Sequence, residues 1–282
     1  MIGMDRWTKT VARVLGTAAG AFAGVVAVQL MRLRRMEFLP GHPGFYINHI
    51  VEPAGPTPGL RLRMAVLGDS TTAGVGVEHA EDSLPYLLAR RVADAESRPV
   101  HVVSYGWAGA RVADLVASQL RRAIEPLRTT ETDSFLGGAD VVAFVIGSND
   151  ATHNTPPGRF RSDLRTVLER IRQVAPDARV VLAGIPAFRG ALRGIEPLIF
   201  LADQYAKLLR PISRAEAARA GVAYADLAAE VPARIQGRTD VLSRDQFHPS
   251  VVGYTAWADV IAEALLRAPA QRAAGMEPAA GA

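Results

Sequence analysis

The sequence of 282 residues contains no cysteine. This absence excludes a disulfide framework and any zinc site with Cys ligands, although it does not assign the chain to a redox compartment. Aromatic residues are also scarce, at 6%, and they are not interleaved with basic residues in the manner of a nucleic-acid-binding surface. The basic residues are nearly all Arg and give a net charge of +4. We therefore expect them on solvated helix surfaces, and we expect no nucleic-acid partner.

Charge is missing from one long segment near the start of the chain. The run from Val14 to Met31 has no charged residue, and basic residues flank it on both sides. It is just long enough to cross a bilayer as a helix. Gly16, Gly20 and Gly24 repeat the small-residue spacing of closely packed membrane helices. We predict a single helical membrane anchor.

Two alternatives to the anchor stay open. Residues 21–23 (Ala-Phe-Ala) resemble the cleavage site of a signal peptide, but cleavage there would leave a very short apolar region before it. A soluble helix docked on the protein is the other alternative. The predicted localisation is therefore membrane-anchored, or exported. The basic residues on the two sides are similar in number, so the orientation in the membrane is not predicted.

Proline and glycine divide the rest of the chain into segments. They recur through residues 36–60, which we interpret as a linker or surface arm without regular structure. The final residues, 269–282, are rich in Ala, Gly and Pro and are predicted to be disordered. The predicted organisation is an anchor or signal segment over 1–35, the linker over 36–60, a globular domain over 61–268 and the tail.

Within the globular domain, short apolar runs alternate with segments of helical periodicity. Such alternation predicts a parallel sheet with helices on both faces, and right-handed crossovers make it a three-layer α/β/α sandwich. We expect five parallel strands, at 63–68, 100–104, 140–146, 179–185 and 222–227.

The stretch over residues 63–77 is the one around which the rest is organised. It reads as a buried strand that ends at Gly68 and runs into the turn Asp69-Ser70. A serine at the carboxyl end of a parallel strand lies where α/β folds place their ligands. By itself this pattern could equally be an ordinary polar turn.

Three further segments follow strands or precede a helix in the same way: the turn that contains Gly106 and Gly109, GSND at 147–150, and DQFHPS at 245–250. With GDS at 68–70, their order resembles the SGNH hydrolase family, also called GDSL-type esterases and lipases. The resemblance covers roughly residues 62–267 and implies a flavodoxin-like SGNH fold.

The resemblance implies a catalytic triad and an oxyanion hole. Ser70 matches the nucleophile, His248 the general base, and Asp245 the carboxylate that orients the imidazole. The backbone N–H groups of Ser70 and Gly109 and the side chain of Asn149 match the oxyanion donors. Gly106 is the alternative to Gly109 in that turn. One departure is visible, because the family often has Asn at the position of Ser104, and we expect a less rigid turn here.

The expected function is therefore hydrolysis of carboxylic esters through an acyl-enzyme. The expected substrates are small-molecule, lipid or glycan esters, and no cofactor or metal is expected. The alternatives are a glycan O-acyl deacetylase or acyltransferase and, in another class, a non-catalytic binding module. We interpret Asp69 and Asp150 as hydrogen-bond acceptors that hold the loops. The segments 151–159, with His153, and 188–197 are expected at the rim of the cleft. Neither the acyl-chain length nor the oligomeric state is predicted.

Overall fold

The strands of the sheet are the apolar runs that the sequence predicts, with one addition. In a computed structural model, which describes residues 2–56, 59–125, 134–188, 191 and 195–268, the sheet has six strands in the order β1-β3-β2-β4-β5-β6. Their bounds are β1 Asn48–Val51, β2 Leu62–Gly68, β3 Val100–Ser104, β4 Val141–Val145, β5 Arg179–Ala183 and β6 Ala223–Ala225. The strands β2 to β6 pair in parallel.

The prediction of no regular structure in residues 36–60 is wrong for β1. This strand pairs antiparallel with β3 at the edge of the sheet, with Asn48 opposite Val103 and Val51 opposite Val100. It sits between the prolines of the segment, and Val51 is fully buried. Proline is unfavourable in the flanking residues, but the short stretch between the prolines can still pair at the sheet edge.

Helices cover both faces of the sheet, which confirms the predicted three-layer arrangement. Successive residues of β2 alternate between two cores, since Ala65 and Leu67 face one and Met64 and Val66 the other. This is the period-two geometry of a strand buried on both sides. The helices are α1 Ile2–Arg35, α2 Ser70–Ala73, α3 Leu84–Glu96, α4 Val112–Asp114, α5 Leu120–Ile124, α6 Ser148–Thr152, α7 Pro157–Val174, α8 Leu198–Arg219, α9 Leu227–Arg234 and α10 Val251–Arg267.

The faces differ in which helices they carry. One core contains apolar residues of α5, α7 and α8, and the other contains those of α3, α9 and α10. A π-helical turn at Leu115–Gln119 lies between α4 and α5. Helix α8 continues through Pro211, a residue that lacks the backbone N–H of a regular helical position. The packing of Leu209 and Ile212 into the core offsets the backbone hydrogen bond that proline cannot donate.

The first helix, α1, is mostly exposed. Its part from Trp7 to Arg35 has a mean hydropathy of 1.8 and is long and apolar enough to cross a membrane. Only 6% of its most apolar window is buried against the protein. Its last turn is different, because Leu33, and Met36 just beyond it, pack against the core that contains α8. The predicted tail, 269–282, lies outside the described residues.

Candidate active site

The serine of the Gly-Asp-Ser turn begins a short helix directly after β2. Asp69 is the N-cap of α2, and its carboxylate accepts hydrogen bonds from the Thr71 N–H at 3.0 Å and the Thr71 hydroxyl at 2.8 Å. The Asp69 N–H donates to the carbonyl of Val145 on the neighbouring strand β4 at 3.3 Å. The turn is thereby tied to the sheet, and Ser70 is held at its edge with 8% of its surface exposed.

The loop before α10 brings the predicted histidine to this serine. The His248 Nε2 lies 3.0 Å from the Ser70 Oγ, and its Nδ1 lies 2.6 Å from the Asp245 Oδ2. A carboxylate can only accept, so Nδ1 carries the proton and Nε2 is free to accept one from the serine. His248 and Asp245 are buried, and the three predicted side chains form one connected hydrogen-bonded row.

The charge of Asp245 is stabilised by several donors. Burial by itself would raise the pKa of Asp245, but hydrogen bonds from the His248 ring and from the N–H groups of His248 and Phe247 lower it well below its ordinary value. The Ser243 hydroxyl donates to the same carboxylate at 2.8 Å. Asp245 is therefore an anion wherever the protein is folded at ordinary pH.

The turn after β3 contains both candidate glycines, and their surroundings separate them. A side chain at Gly106 would come within 1.9 Å of the Thr72 hydroxyl, so this glycine serves close packing against α2. Gly109 has open space around it but a φ of +81°, the left-handed region that favours glycine. Within the described part of the chain, neither the Gly109 N–H nor the Ser70 N–H donates a hydrogen bond.

Ser104 supports this turn although it replaces the asparagine common in the family. Its hydroxyl donates to the Thr72 carbonyl at 2.7 Å and accepts from the Gly106 N–H at 3.4 Å. The turn after β3 is thus bonded to the helix that begins with Ser70. The Ser104 side chain thus reaches a group on each side, and the lower rigidity expected of this turn stays a prediction.

The segment after β4 approaches the same turn. The Asn149 amide donates to the Ala110 carbonyl, next to Gly109, at 3.0 Å, and Asn149 lines the same cavity as Ser70. Asp150 accepts from the Val112 N–H at 3.0 Å. The interpretation of Asp69 and Asp150 as acceptors that hold loops is confirmed by these bonds. Burial raises the pKa of each, which the N–H donors partly offset.

Sequence reasoning missed a side chain that supports the nucleophile turn from behind. Gln119, fully buried in the π-helical turn, donates to the Gly68 carbonyl at 2.7 Å and accepts from the Gly68 N–H at 2.9 Å. It therefore bonds the end of β2 at Gly68, which pairs with Val145 of β4 but lies beyond the last residue paired with β3. The only signal was its place in the sequence, between the apolar residues Leu115 and Leu120 of a helical segment. π-Turns often occur at functional sites.

A cavity of about 700 Å³ opens at Ser70 and His248. Of the expected rim, Phe188 and Ala191 line it, whereas residues 189–190 and 192–194 lie outside the described part. His153 is exposed, and its ring instead contacts the Asn149 carbonyl at 2.9 Å. The sequence did not point to α9 and the segments beside it, which form an apolar wall. This wall includes Leu227, Val231, Pro232, Ile235, Leu242 and Trp257.

Comparison with known proteins decides the family. The sequence model of the GDSL-like Lipase/Acylhydrolase family matches residues 66–256. The chain belongs to this family. It is a carboxylic ester hydrolase, so the binding-module alternative is set aside. No curated protein sequence matches the chain.

Solved structures similar to this GDSL-like hydrolase share its fold. An extracellular lipase from Streptomyces rimosus is 23% identical, with a TM-score of 0.54 over 72% of this chain and 99% of its own. A lipase/acylhydrolase from Enterococcus faecalis is 24% identical, with a TM-score of 0.55 over 75% of this chain and 100% of its own. An acetylxylan esterase from Geobacillus stearothermophilus is 17% identical, with a TM-score of 0.54 over 74% and 95%.

Proposed function

We propose that this GDSL-like hydrolase is a serine esterase that works through Ser70, His248 and Asp245. In the first half-reaction the Ser70 Oγ attacks the ester carbonyl carbon while the His248 Nε2 takes its proton. The proton then passes to the leaving alcohol as the carbon–oxygen bond breaks, which leaves an acyl-enzyme. Water, deprotonated by the same nitrogen, releases the acid. The observation that carries the proposal is the row of contacts at 3.0 and 2.6 Å from serine through histidine to aspartate.

The oxyanion of the tetrahedral intermediate would be bound by the N–H groups of Ser70 and Gly109 and by the Asn149 amide. The two N–H groups are without acceptors among the described residues, so they need not break a bond in order to donate. The Asn149 amide has a second hydrogen besides the one given to Ala110. A donor already held in place loses little by reorganisation, which is why such groups act mainly in the transition state.

The cavity favours an ester with an apolar acyl group. The wall formed by α9 and its neighbours provides aliphatic and aromatic surface in the cavity that Ser70 lines, and burying each CH₂ of an acyl chain there would contribute about 0.8 kcal/mol. An acetyl group would use little of it. This supports a lipid-like ester over the alternative of a glycan acetyl ester, although an acetylxylan esterase has the same fold.

The N-terminal helix α1 would anchor the enzyme in a membrane. Its apolar part is exposed and is bounded by arginines, which hold the ends of a spanning helix at the interfaces. The packing of Leu33 and Met36 on the core ties the end of this helix to the domain.

The test of the chemistry compares Ser70→Ala with Ser162→Ala, an exposed serine on α7, in the full chain in detergent. Ser70→Ala should abolish hydrolysis of p-nitrophenyl esters and labelling by a fluorophosphonate, and Ser162→Ala should change neither. Activity of Ser70→Ala above a few per cent of wild type would refute the mechanism.

Two further measurements address substrate and anchor. A series of p-nitrophenyl esters from acetate to dodecanoate, beside acetylated xylan, should show kcat/KM rising with acyl length and little release of acetate from xylan. The opposite ranking would favour the glycan deacetylase.

The full chain should remain with membranes after alkaline carbonate washing, and recovery in the soluble fraction would contradict the anchor.

A further inference from the structure

The segment between α1 and β1 runs across the candidate active site. We call residues 36–47 the arm. At its start, the Phe38 ring meets the Phe247 ring edge to face, with centroids 6.0 Å apart and an interplanar angle of 85°. The next residue, Leu39, donates its backbone N–H to the Asp245 Oδ2 at 3.4 Å. Both contacts fall on the loop that carries the candidate histidine.

The arm then touches the other two candidate loops. A methyl group at Gly41 would come within 3.1 Å of Ala108, the neighbour of Gly109. The Phe45 ring lies so close to Gly74, at the end of the helix that Ser70 begins, that a side chain there would come within 2.8 Å. The loops of the base, the oxyanion donor and the nucleophile are therefore all in contact with one segment.

Both ends of the arm are held by the domain. Met36 packs against the core at its start. At its other end Ile47 is 4% exposed, and its carbonyl accepts from the Ser104 N–H at 3.0 Å. A segment fixed at both ends can hold its middle residues in place against the loops between them.

The Leu39 N–H donates to the Asp245 Oδ2, the same oxygen that contacts the His248 imidazole. The Asp245 Oδ1 is held from within its own loop, by the Ser243 hydroxyl and by the N–H groups of Phe247 and His248. The Oδ2, which contacts the His248 Nδ1 at 2.6 Å, receives its other donor from the arm. The Phe247 ring lies between Phe38 and the imidazole, 5.1 Å from the latter.

From these contacts we propose that the arm is a positioning segment of the active site. Leu39 and Phe38 hold the Asp245 carboxylate and the His248 ring in the orientation in which they bond to each other. The inference rests on the proposed triad. The arm lies before the family match, which begins at residue 66. It joins the site to the helix that we propose as the anchor.

The test uses the full chain in detergent and separates the effect of the Leu39 backbone N–H from the effect of the Leu39 side chain. Leu39→Pro removes the donor, whereas Leu39→Ala keeps it and removes the same side chain. Leu60→Pro and Leu60→Ala form the matched control pair, because the Leu60 side chain is 85% exposed in the linker. The bond is long, so Leu39→Pro should lower kcat about three- to tenfold relative to Leu39→Ala, with KM nearly unchanged. The control pair should show no difference.

A spectroscopic measurement separates positioning from general stability. The short Nδ1–H···Oδ2 bond should give a far-downfield proton NMR signal, identified by its loss in His248→Ala. In Leu39→Pro this signal should move or broaden, and in Leu39→Ala it should not. Phe38→Ala should act in the same direction, and Phe38→Tyr, which keeps the ring, should restore both the signal and kcat.

The outcomes are distinct. Equal kcat and an equal downfield signal in Leu39→Pro and Leu39→Ala would overturn the inference and leave the triad standing. If Leu39→Pro does not fold, the Phe38→Ala and Phe38→Tyr pair decides, and equal values there would also overturn it. Activity of Ser70→Ala would instead refute the proposed function, and the role of the arm with it.

Discussion

Asp245→Asn is the sharpest test of the triad, because the structure predicts how the new amide would be oriented. The amide offers one acceptor and one donor group where the carboxylate has two acceptors. The Oδ1 position faces three donors, at 2.8, 3.0 and 3.0 Å. The Oδ2 position faces the His248 Nδ1 and the Leu39 N–H.

The amide oxygen should therefore take the Oδ1 position. The reverse orientation would point the NH₂ group at three donors, and each buried donor left without an acceptor costs about 1–3 kcal/mol. With the NH₂ group facing the imidazole, Nδ1 must become the acceptor and the proton moves to Nε2. That nitrogen can then no longer accept the proton of Ser70.

We expect Asp245→Asn to lower kcat by about 10⁴-fold, the cost of the wrong imidazole tautomer in a triad of this geometry. KM and the melting temperature should change little, because three of the hydrogen bonds remain. The assay is hydrolysis of p-nitrophenyl butyrate, with Asp259→Asn as the control, since the partly exposed Asp259 of α10 pairs with Arg91 of α3 and lines no part of the cavity at Ser70. A folded Asp245→Asn protein that loses less than about tenfold in kcat would refute the tautomer argument.

Two other predictions concern the oxyanion site and acid stability. Asn149→Ala should lower kcat about 10²–10³-fold with little change in KM, and a near-normal kcat would remove Asn149 from the oxyanion hole. Hydrogen bonds from Arg165 and then Arg219 hold the pKa of Glu216 below its ordinary value, so the stability it contributes is present above that value, 4.5, and is lost as the pH falls below it. Glu216→Gln should therefore lower the melting temperature at pH 7, with a difference from wild type that shrinks in acid. The exposed Glu169→Gln should show almost no such effect, and equal effects of the two would contradict the assignment.

Several strands could be predicted from the sequence because their signal is local. A strand buried on both faces has to be apolar along its length, and β4, Val141–Val145, is fully buried within the predicted run 140–146. Where the apolar pattern is weaker, the predicted strand is longer than the observed one or is absent from the prediction. β6 is confined to Ala223–Ala225, and β1 was hidden among the prolines of the linker.

The candidate residues could also be named in advance, since Ser70, Asn149 and the Asp245–His248 pair stand in short segments beside strands and helices. Their positions in the sequence did not show that the side chains would touch, because His248 is 178 residues from Ser70. The structure brings the two within 3.0 Å because the loop before α10 reaches the carboxyl end of β2, where Ser70 lies.

The sequence by itself thus determined the kinds of residue, the order of strands and helices, and the long apolar helix at the start. Only the tertiary structure decided which distant groups support the site. Gln119 reaches Gly68 across 51 residues, and Leu39 reaches Asp245 across 206. Such contacts leave no periodic trace along the chain, because one polar side chain or one backbone N–H is enough to make them. They depend on where packing places the π-turn and the arm.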